Sequence, residues 1–377
     1  MSDVKSIGFA LDPNNVPSFL LDWEITKLCN LDCSYCGTGH DNSTQHPPLA
    51  ECLKTIDFMY EYVNQYMQHK KPSQRKVILN VYGGESLFHP NIVEILETCR
   101  SKYQQYKDKW YLTVINTTNA IVGKNQWARI IPLIDEFTVS YHAENLPKQK
   151  ELFKTNLLEL QKQNKRFKCV VMMHKNYWND VLDIIEFCKI NAINYVAKPI
   201  DGVNYSYSPE QFKTLKTFWM QSVPISKQSD YKKTIDKVGE TTDSSLNQGR
   251  SCCGGRKLSI NTDLKSSVGF VPKQGFRGWS CSVNWFFLFI DQLKGEVYTN
   301  KDCRTSTTNL IEPLGYLSNP NQILDTLKTQ LASNMPIIQC IKDICVCGYC
   351  APKAQDKKDF MDLIRRNVPV DIFAKTC

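Results

Sequence analysis

The feature that most constrains the fold is a regular alternation of short apolar runs with amphipathic segments between residues 18 and 200. Six runs have the length and composition of buried strands: SFLLDWEIT, KVILNVYGG, WYLTVINTT, EFTVSYHA, FKCVVMMH and INYVAKPI. Segments with apolar residues at helical spacing separate them, and strands that alternate with helices form parallel βαβ units with right-handed crossovers. The sequence therefore predicts a partial (βα)6 barrel of the TIM type, in which chemistry gathers at the carboxyl ends of the strands.

The chain beyond the barrel departs from this pattern. Residues 201–250 contain one helical segment and then a polar stretch that is typical of a linker. Residues 251–377 hold nine of the sixteen cysteines. We therefore predict four parts: an N-terminal extension (1–17), the barrel (18–200), a helix with a linker (201–250) and a small α+β cysteine-rich domain with a β-hairpin (251–377).

Composition narrows the classes of protein that this chain can belong to. Of the 377 residues, 42% are hydrophobic and 22% are charged, as in ordinary globular proteins. The sequence has no secretory signal and no apolar run long enough to span a bilayer, so we expect a cytoplasmic protein without a membrane partner. The net charge of +8 is spread over lysine-rich segments without a compact basic-aromatic motif, which leaves a nucleic-acid partner open but unsupported.

Three cysteines, Cys29, Cys33 and Cys36, follow the first predicted strand in the motif CNLDCSYC. Disulfide scaffolds are typical of short secreted chains, and a structural zinc site usually takes four protein ligands. Three thiolates on one loop fit three corners of a [4Fe–4S] cluster and leave the fourth iron open to another ligand. The scattered cysteines lie in apolar patterns and are predicted to be buried hydrophobic residues: Cys52, Cys99, Cys169 and Cys188.

The motif resembles the CxxxCxxC signature of the radical S-adenosylmethionine (SAM) enzymes, including the aromatic Tyr35 before the third cysteine. Gly83, Gly84 and Glu85, after the second predicted strand, resemble the GGE segment of that family. The resemblance implies a [4Fe–4S] cluster on the three cysteines, with SAM bound to the open iron and against the GGE backbone. It also implies reductive cleavage of SAM to methionine and a 5′-deoxyadenosyl radical, which abstracts a hydrogen from the substrate.

Polar residues at the ends of the later strands are further candidates for contacts with SAM. In the family that the motif resembles, such positions often bind its ribose or carboxylate, but they also fit strand-end hydrogen bonds within the protein. The candidates are Asn116, Thr118 and Asn119 after the third strand, and Ser140 and His142 at the end of the fourth. Met172 and His174 on the fifth strand could flank the adenine, and a place in the core is the alternative for Met172. Lys198, which ends the sixth strand, is a candidate catalytic residue that could contact a carboxylate or the substrate.

The C-terminal cysteines resemble those of the SPASM and Twitch auxiliary-cluster domains. A predicted hairpin with its turn at Lys294 and Gly295 separates two of them, and the short helical segment NQILDTL follows. The resemblance implies one auxiliary [4Fe–4S] cluster with four cysteine ligands and two alternates. The ligands are Cys281, Cys303, Cys347 and Cys350, and the alternates are Cys340 and Cys345. A zinc ion on the late cysteines is the alternative.

The segment GRSCCGGRKLSIN places Cys252 and Cys253 side by side, between arginines and glycines. The two thiols are candidates for a catalytic group or a substrate loop, and a structural turn is the alternative interpretation.

The expected function is that of a radical SAM enzyme that modifies a peptide or a small metabolite. Such an enzyme would receive electrons from a donor such as flavodoxin or ferredoxin. Two other functions stay open at this point: a non-catalytic iron–sulfur electron-transfer protein and a zinc-stabilised nucleic-acid-binding protein.

Overall fold

The predicted parallel sheet forms the centre of the molecule. A computed structural model of the chain describes residues 6–9, 18–36, 45–70, 72, 75–200, 207–221, 258–260, 277–281, 283, 286–299, 313–332, 338–340, 353–356 and 358. Six strands lie parallel and in chain order: β2 (Phe19–Thr26), β3 (Lys76–Gly83), β4 (Tyr111–Thr118), β5 (Glu136–Tyr141), β6 (Arg166–Met173) and β7 (Tyr195–Pro199). A helix follows each of them: α1 (Leu49–Met67), α2 (Ile92–Tyr103), α3 (Lys124–Ile130), α4 (Pro147–Lys162), α5 (Trp178–Ile190) and α6 (Pro209–Gln221). The predicted (βα)6 partial barrel is confirmed.

Alternate residues of β2 show how the barrel wall packs against the helices. Its odd-numbered residues, Phe19, Leu21, Trp23 and Ile25, are at most 2% exposed. The ring of Phe19 lies against that of Tyr66 on α1, with centroids 4.6 Å apart, so this face of the strand meets the helical layer.

The scattered cysteines predicted to be buried are all 0% exposed, as expected for small core residues: Cys52, Cys99, Cys169 and Cys188.

The C-terminal hairpin continues the barrel sheet. β10 (Phe287–Asp291) pairs in parallel with β2, while β11 (Glu296–Tyr298) and β12 (Gly315–Tyr316) extend the sheet by antiparallel pairing. The full strand order is β12-β11-β10-β2-β3-β4-β5-β6-β7. The predicted turn between β10 and β11 is present, and Gly295 in it has a φ of +66°, which glycine adopts without steric cost.

A second, smaller sheet joins the two ends of the chain. It contains β1 (Ser6–Phe9), β8 (Leu258–Ile260), β9 (Ser280–Cys281), β13 (Ile338–Gln339) and β14 (Lys353–Ala354), in the order β13-β9-β14-β1-β8. The predicted N-terminal extension thus supplies a strand to a sheet whose other strands come from the cysteine-rich region. The predicted boundary at residue 251 does not coincide with a boundary between sheets, because the hairpin belongs to the barrel sheet.

The predicted short helix after the hairpin is also present. α7 (Pro320–Ala332) buries Ile323, Leu327 and Leu331, which follow one another at helical spacing. These residues pack into the same apolar core as the barrel. Among the described helices, none combines the length and the apolar character that crossing a membrane requires.

One buried hydrogen bond joins the barrel to the hairpin. The indole Nε1–H of Trp23 donates to Oε1 of Gln292 at 2.9 Å, and the two residues are 0% and 3% exposed. The backbone N–H of Gln292 also donates to the carbonyl of Glu24 at 3.1 Å, just beyond the last pair of the β2–β10 ladder. These contacts fix the register of the hairpin on β2.

Replacing Gln292 with alanine is expected to lower the free energy of unfolding by about 1–3 kcal/mol, because the buried indole N–H of Trp23 then lacks its acceptor. Urea denaturation followed by circular dichroism measures this change. The control is Gln163→Ala, which removes an exposed glutamine beyond α4 and should change stability by less than about 0.5 kcal/mol. Equal effects of the two substitutions would contradict a specific role of this hydrogen bond.

Candidate active site

The cysteine loop, residues 27–36, leaves the carboxyl end of β2. Cys29 and Cys33 are partly buried and Cys36 is exposed. The backbone N–H of Cys36 donates to the carbonyl of Cys33 at 3.0 Å, which closes a turn at Ser34 and Tyr35. The loop therefore begins at the face of the barrel where the strands end, as predicted from its position in the sequence.

The two glycines of the GGE segment are required by contact with the cysteine loop itself. The N–H of Gly84 donates to the carbonyl of Thr26 at 2.9 Å, and the N–H of Glu85 donates to that of Leu28 at 2.8 Å. A Cβ on Gly83 would lie 2.0 Å from the Thr26 oxygen, and one on Gly84 would lie 2.4 Å from that of Lys27. The absence of side chains at these two positions thus allows the end of β3 to lie directly against the start of the cysteine loop.

Glu85 uses its side chain to fix the end of β4. Its carboxylate is buried and accepts hydrogen bonds from the N–H of Leu87 (2.9 Å), the hydroxyl of Thr118 (2.9 Å) and the N–H of Asn119 (2.6 Å). Burial raises the pKa of this carboxyl to about 7, while the hydrogen bonds act in the opposite direction. Glu85 therefore joins the short turn after β3 to the chain that leaves β4.

The end of β4 reaches the cysteine loop through two asparagines. Nδ2 of Asn119 donates to Oδ1 of Asn30 at 2.7 Å, and Nδ2 of Asn30 donates to the carbonyl of Ile121 at 3.0 Å. Asn119 was a candidate for a SAM contact from the sequence, with a strand-end hydrogen bond as the alternative. Its side chain forms hydrogen bonds within the protein, and one of them holds Asn30, the residue that follows Cys29.

His142 connects β5 to the other side of the loop. Its Nδ1 lies 2.8 Å from the hydroxyl of Tyr35 and 3.4 Å from Sγ of Cys33, and its Nε2 lies 3.1 Å from the hydroxyl of Ser140. The Ser140 hydroxyl donates to the carbonyl of Thr118, so it accepts from Nε2–H, and Nδ1 accepts from Tyr35. Burial lowers the pKa of His142 to about 4, so the ring is neutral near pH 7.

Glu144 is a site residue that the sequence analysis missed. Its carboxylate accepts from the N–H of Ser34 at 2.8 Å and from the Ser34 hydroxyl at 2.5 Å. Nε2 of His174 lies 3.1 Å away, and because Nδ1 of that ring accepts from the N–H of Asn176, Nε2 carries the proton that it donates to Glu144. His174, a candidate to flank the adenine, is thus placed beside the turn of the cysteine loop.

A cavity of about 120 Å³ brings together most of the predicted residues. Those that line it are Cys29, Cys33, Tyr35, Cys36, Gly83, Gly84, Thr118, Asn119, Ser140 and His142. Five other described candidates do not line it: Glu85, Asn116, Met172, His174 and Lys198. Glu85 is buried behind it, and Asn116 donates to the carbonyl of Val81 and the hydroxyl of Ser86 in the interior. Lys198 is exposed on β7, and its charge contributes to the lowered pKa of His142 after burial, the larger cause.

The donor set of the cavity fits an iron–sulfur cluster. Thiols are soft ligands that favour such clusters, and each iron takes one of them, so the three sulfurs need not meet at a single point. Among the described residues, no three His, Cys, Asp or Glu side chains are placed to hold one metal ion. Burial raises the pKa of the Cys29 thiol to about 11 and that of Cys33 to about 12, so loading of the site would release protons.

Two of the predicted auxiliary ligands and alternates are described, Cys281 and Cys340. Cys281 lies in β9 opposite Ile338 of β13, and the N–H of Cys340 donates to the carbonyl of Trp279 at 2.7 Å. This register makes Cys281 and Cys340 diagonal neighbours on one face of the small sheet. The Cα atoms of such neighbours are about 7–8 Å apart. Six candidate cysteines lie outside the described residues: Cys252, Cys253, Cys303, Cys345, Cys347 and Cys350.

No protein-family model matches the sequence, and no curated protein matches it. Solved structures do match. Native anSMEcpe with bound AdoMet is 14% identical, with a TM-score of 0.49, and the match covers 93% of this chain and 98% of that one. Histidine-tagged anSMEcpe with bound AdoMet is 15% identical, with a TM-score of 0.49 and coverage of 93% and 97%. Native anSMEcpe with bound AdoMet and the Kp18Cys peptide is 14% identical, with a TM-score of 0.48 and coverage of 93% and 97%.

The protein in these structures is an anaerobic sulfatase-maturating enzyme, a radical SAM enzyme with a SPASM domain.

Replacing Gly84 with alanine is expected to lower the free energy of unfolding by at least about 1–3 kcal/mol, because the new Cβ would overlap two backbone oxygens of the cysteine loop. The matched control is Gly123→Ala, since a Cβ there meets no atom within 4 Å and the cost should stay below about 1 kcal/mol. Urea denaturation of both variants measures the difference. If Gly84→Ala is as stable as Gly123→Ala, the close approach described above is incorrect.

The raised pKa of Glu85 predicts a stability difference that depends on pH. The native carboxyl, with a pKa of about 7, binds its proton more tightly than the unfolded one, whose pKa is 4.5. Its favourable contribution is therefore complete below pH 4.5 and is lost as the pH rises through 7, by an amount on the order of 3 kcal/mol.

Glu85→Gln removes this titration. The free energy of unfolding of the wild-type chain minus that of Glu85→Gln should fall as the pH rises from 4.5 to 8. Urea denaturation of both proteins at each pH gives this difference, and subtraction removes the titrations that they share. A difference that stays constant or rises with pH would rule out the raised pKa.

Proposed function

We propose that the chain is a radical SAM enzyme, in which Cys29, Cys33 and Cys36 hold a [4Fe–4S] cluster and SAM binds beside it. The observation that carries this proposal is the cavity in which these three cysteines meet Gly83 and Gly84. A loop with three thiols leaves a fourth iron open, and the strand ends around the cavity provide the polar groups that an added ligand requires.

The groups that would receive SAM belong to three strands. When bound, the cluster and SAM supply reductive cleavage of the sulfonium and a radical that abstracts a substrate hydrogen. Gly83 and Gly84 line the cavity and present backbone atoms that a ligand bound there can contact. Thr118, Ser140 and His142 line the same cavity. The hydroxyl oxygens of Thr118 and Ser140 each keep one lone pair that can accept a hydrogen bond from a ribose hydroxyl.

Two other functions fit the site less well: a non-catalytic electron carrier and a zinc-stabilised binding protein. A non-catalytic electron carrier has no need for a cavity next to its cluster, and a zinc-stabilised binding protein has no need for an open ligand position. The half-buried thiols of Cys29 and Cys33, set among hydroxyls, glycines and imidazole, favour a site that receives a small ligand.

For the substrate, we propose a peptide or a small metabolite. The described sheet ends at β7 on one side and at β12 on the other, which supports a barrel with a lateral opening for a substrate. Lys198, exposed on β7, is positioned to contact an anionic group that enters there. An electron donor such as flavodoxin or ferredoxin would reduce the cluster.

We also propose one auxiliary [4Fe–4S] cluster in the C-terminal region. The placement of Cys281 and Cys340 on one face of the small sheet supports Cys340, first considered an alternate, as a ligand. Cys303, Cys347 and Cys350 remain the other candidates for this cluster, and Cys345 remains an alternate.

Anaerobic reconstitution with iron and sulfide tests the enzyme directly. The wild-type chain is expected to bind a [4Fe–4S] cluster and, after reduction with dithionite in the presence of SAM, to form 5′-deoxyadenosine, which chromatography with mass spectrometry measures. Replacing Cys29, Cys33 and Cys36 together with alanine should abolish this product, because the SAM-binding iron is lost.

The matched control is Cys99→Ala, which removes a cysteine that is 0% exposed in the core and should keep the product. Recovery of zinc alone, or a wild-type cluster that never yields 5′-deoxyadenosine, would refute the enzyme. Product formation by the triple alanine variant would show that the cluster site lies elsewhere.

A further inference from the structure

We propose that Asn119 is a positioning residue that holds Cys29 and donates a hydrogen bond to its sulfur, and that it thereby raises the reduction potential of the cluster. The inference rests on the proposed function, because it assumes that Cys29 ligates a [4Fe–4S] cluster. It concerns a residue that lies 90 positions away from that cysteine in the sequence.

The orientation of the Asn119 amide is fixed by its neighbours. Oδ1 of Asn119 accepts a hydrogen bond from the N–H of Ile121 at 2.9 Å, so its Nδ2 must point to the opposite side. There, Nδ2 lies 2.7 Å from Oδ1 of Asn30 and 3.9 Å from Sγ of Cys29. The amide group thus presents its donor to the loop and to the sulfur.

Asn30 prevents the opposite arrangement. Its Nδ2 donates to the carbonyl of Ile121 at 3.0 Å, which leaves Oδ1 as the acceptor for Asn119. If the Asn119 amide were reversed, its oxygen would meet the oxygen of Asn30. The two side chains therefore define each other's orientation, and both lie against the first cysteine.

Asn119 is held in place by the GGE segment. Its backbone N–H donates to Oε2 of Glu85 at 2.6 Å, and only 4% of the residue is exposed. A buried carboxylate therefore fixes the backbone from which the side chain reaches toward Cys29. The backbone N–H of Leu31, 3.4 Å from the same sulfur, is a second donor.

Hydrogen bonds to cluster sulfurs influence the reduction potential. One-electron reduction increases the negative charge of the cluster and its thiolates, and an N–H donor stabilises that charge. Removing the donor should therefore shift the potential of the cluster to more negative values.

The test uses Asn119→Ala and Asn119→Asp in the full chain, reconstituted anaerobically. A redox titration followed by electron paramagnetic resonance measures the potential, and the spectrum of the variant with alanine at Cys29, Cys33 and Cys36 is subtracted to remove any auxiliary cluster. Both Asn119 variants should have more negative potentials than the wild type. Aspartate should have at least as large an effect as alanine, because it replaces the donor with a charged acceptor.

Asn156→Ala is the matched control for packing. Asn156 is 2% exposed, and its Nδ2 donates to the carbonyls of Ala120 and Val122 at 2.8 and 2.9 Å, so it supports the same turn after β4. No contact with Cys29 is described for it, and the potential in this variant should match that of the wild type. A purely structural role of Asn119 predicts instead that the isosteric aspartate is milder than alanine and that Asn156→Ala also shifts the potential.

The possible failures can be told apart. If the wild-type chain assembles no cluster on this loop, the proposed function and this inference both fail. If the wild type assembles the cluster and cleaves SAM while the Asn119 variants keep the wild-type potential, only the inference fails. Loss of the cluster from both variants would also overturn it, because removal of a donor should leave a cluster whose potential can be measured.

Discussion

The buried carboxylate of Glu85 connects three strand ends that the candidate site depends on. It caps the turn after β3 through Leu87 and holds the end of β4 through Thr118 and Asn119. Its own backbone N–H is bonded to the first part of the cysteine loop. A buried group with this many partners tolerates few other arrangements, because any displaced donor would be left unsatisfied away from water. The spacing between the loop, β3 and β4 is therefore set before any cofactor binds.

The cysteine loop is held from two opposite sides. On the β4 side, the side chain of Asn119 donates to that of Asn30, the residue that follows the first cysteine. On the β5 side, Glu144 accepts both donors of Ser34. Between these supports the cysteines gain little stabilisation as anions, because burial favours the protonated thiols. Such a loop is preorganised in its backbone, and the thiols of Cys29 and Cys33 would release their protons when a metal centre binds.

The sequence predicted those features that depend on local pattern. The order of strands and helices follows from apolar periodicity, and the cysteine motif and the GGE segment are contiguous, so both could be read without the fold. The roles of Asn119 and Glu144 could not be predicted in this way. Their partners in the cysteine loop, Asn30 and Ser34, lie 89 and 110 residues away, and the register of the parallel strands decides which residues meet. Asn116 illustrates the same limit. It lies near the end of β4, as expected for a residue that contacts a ligand. Its side chain nevertheless points to the interior and donates to the carbonyl of Val81.

The parallel pairing of β10 with β2 has a consequence for the site. The hairpin was predicted, but its pairing with β2 was not. β2 lies more than 260 residues earlier in the chain, so the local sequence of β10 does not indicate which strand it pairs with. The pairing places the carboxylate of Asp291, which is 0% exposed, 3.7 Å from Nζ of Lys27 at the start of the cysteine loop. A slip by one residue would turn every side chain of β10 to the other face and separate this pair, so the ion pair and the Trp23–Gln292 hydrogen bond select the same register. Buried ion pairs add little net stability compared with apolar contacts, and their best-attested use is to specify one arrangement over its neighbours. The ion pair thus connects the C-terminal hairpin to the loop that carries the candidate cluster ligands. A change in the register of β10 would break this contact at Lys27.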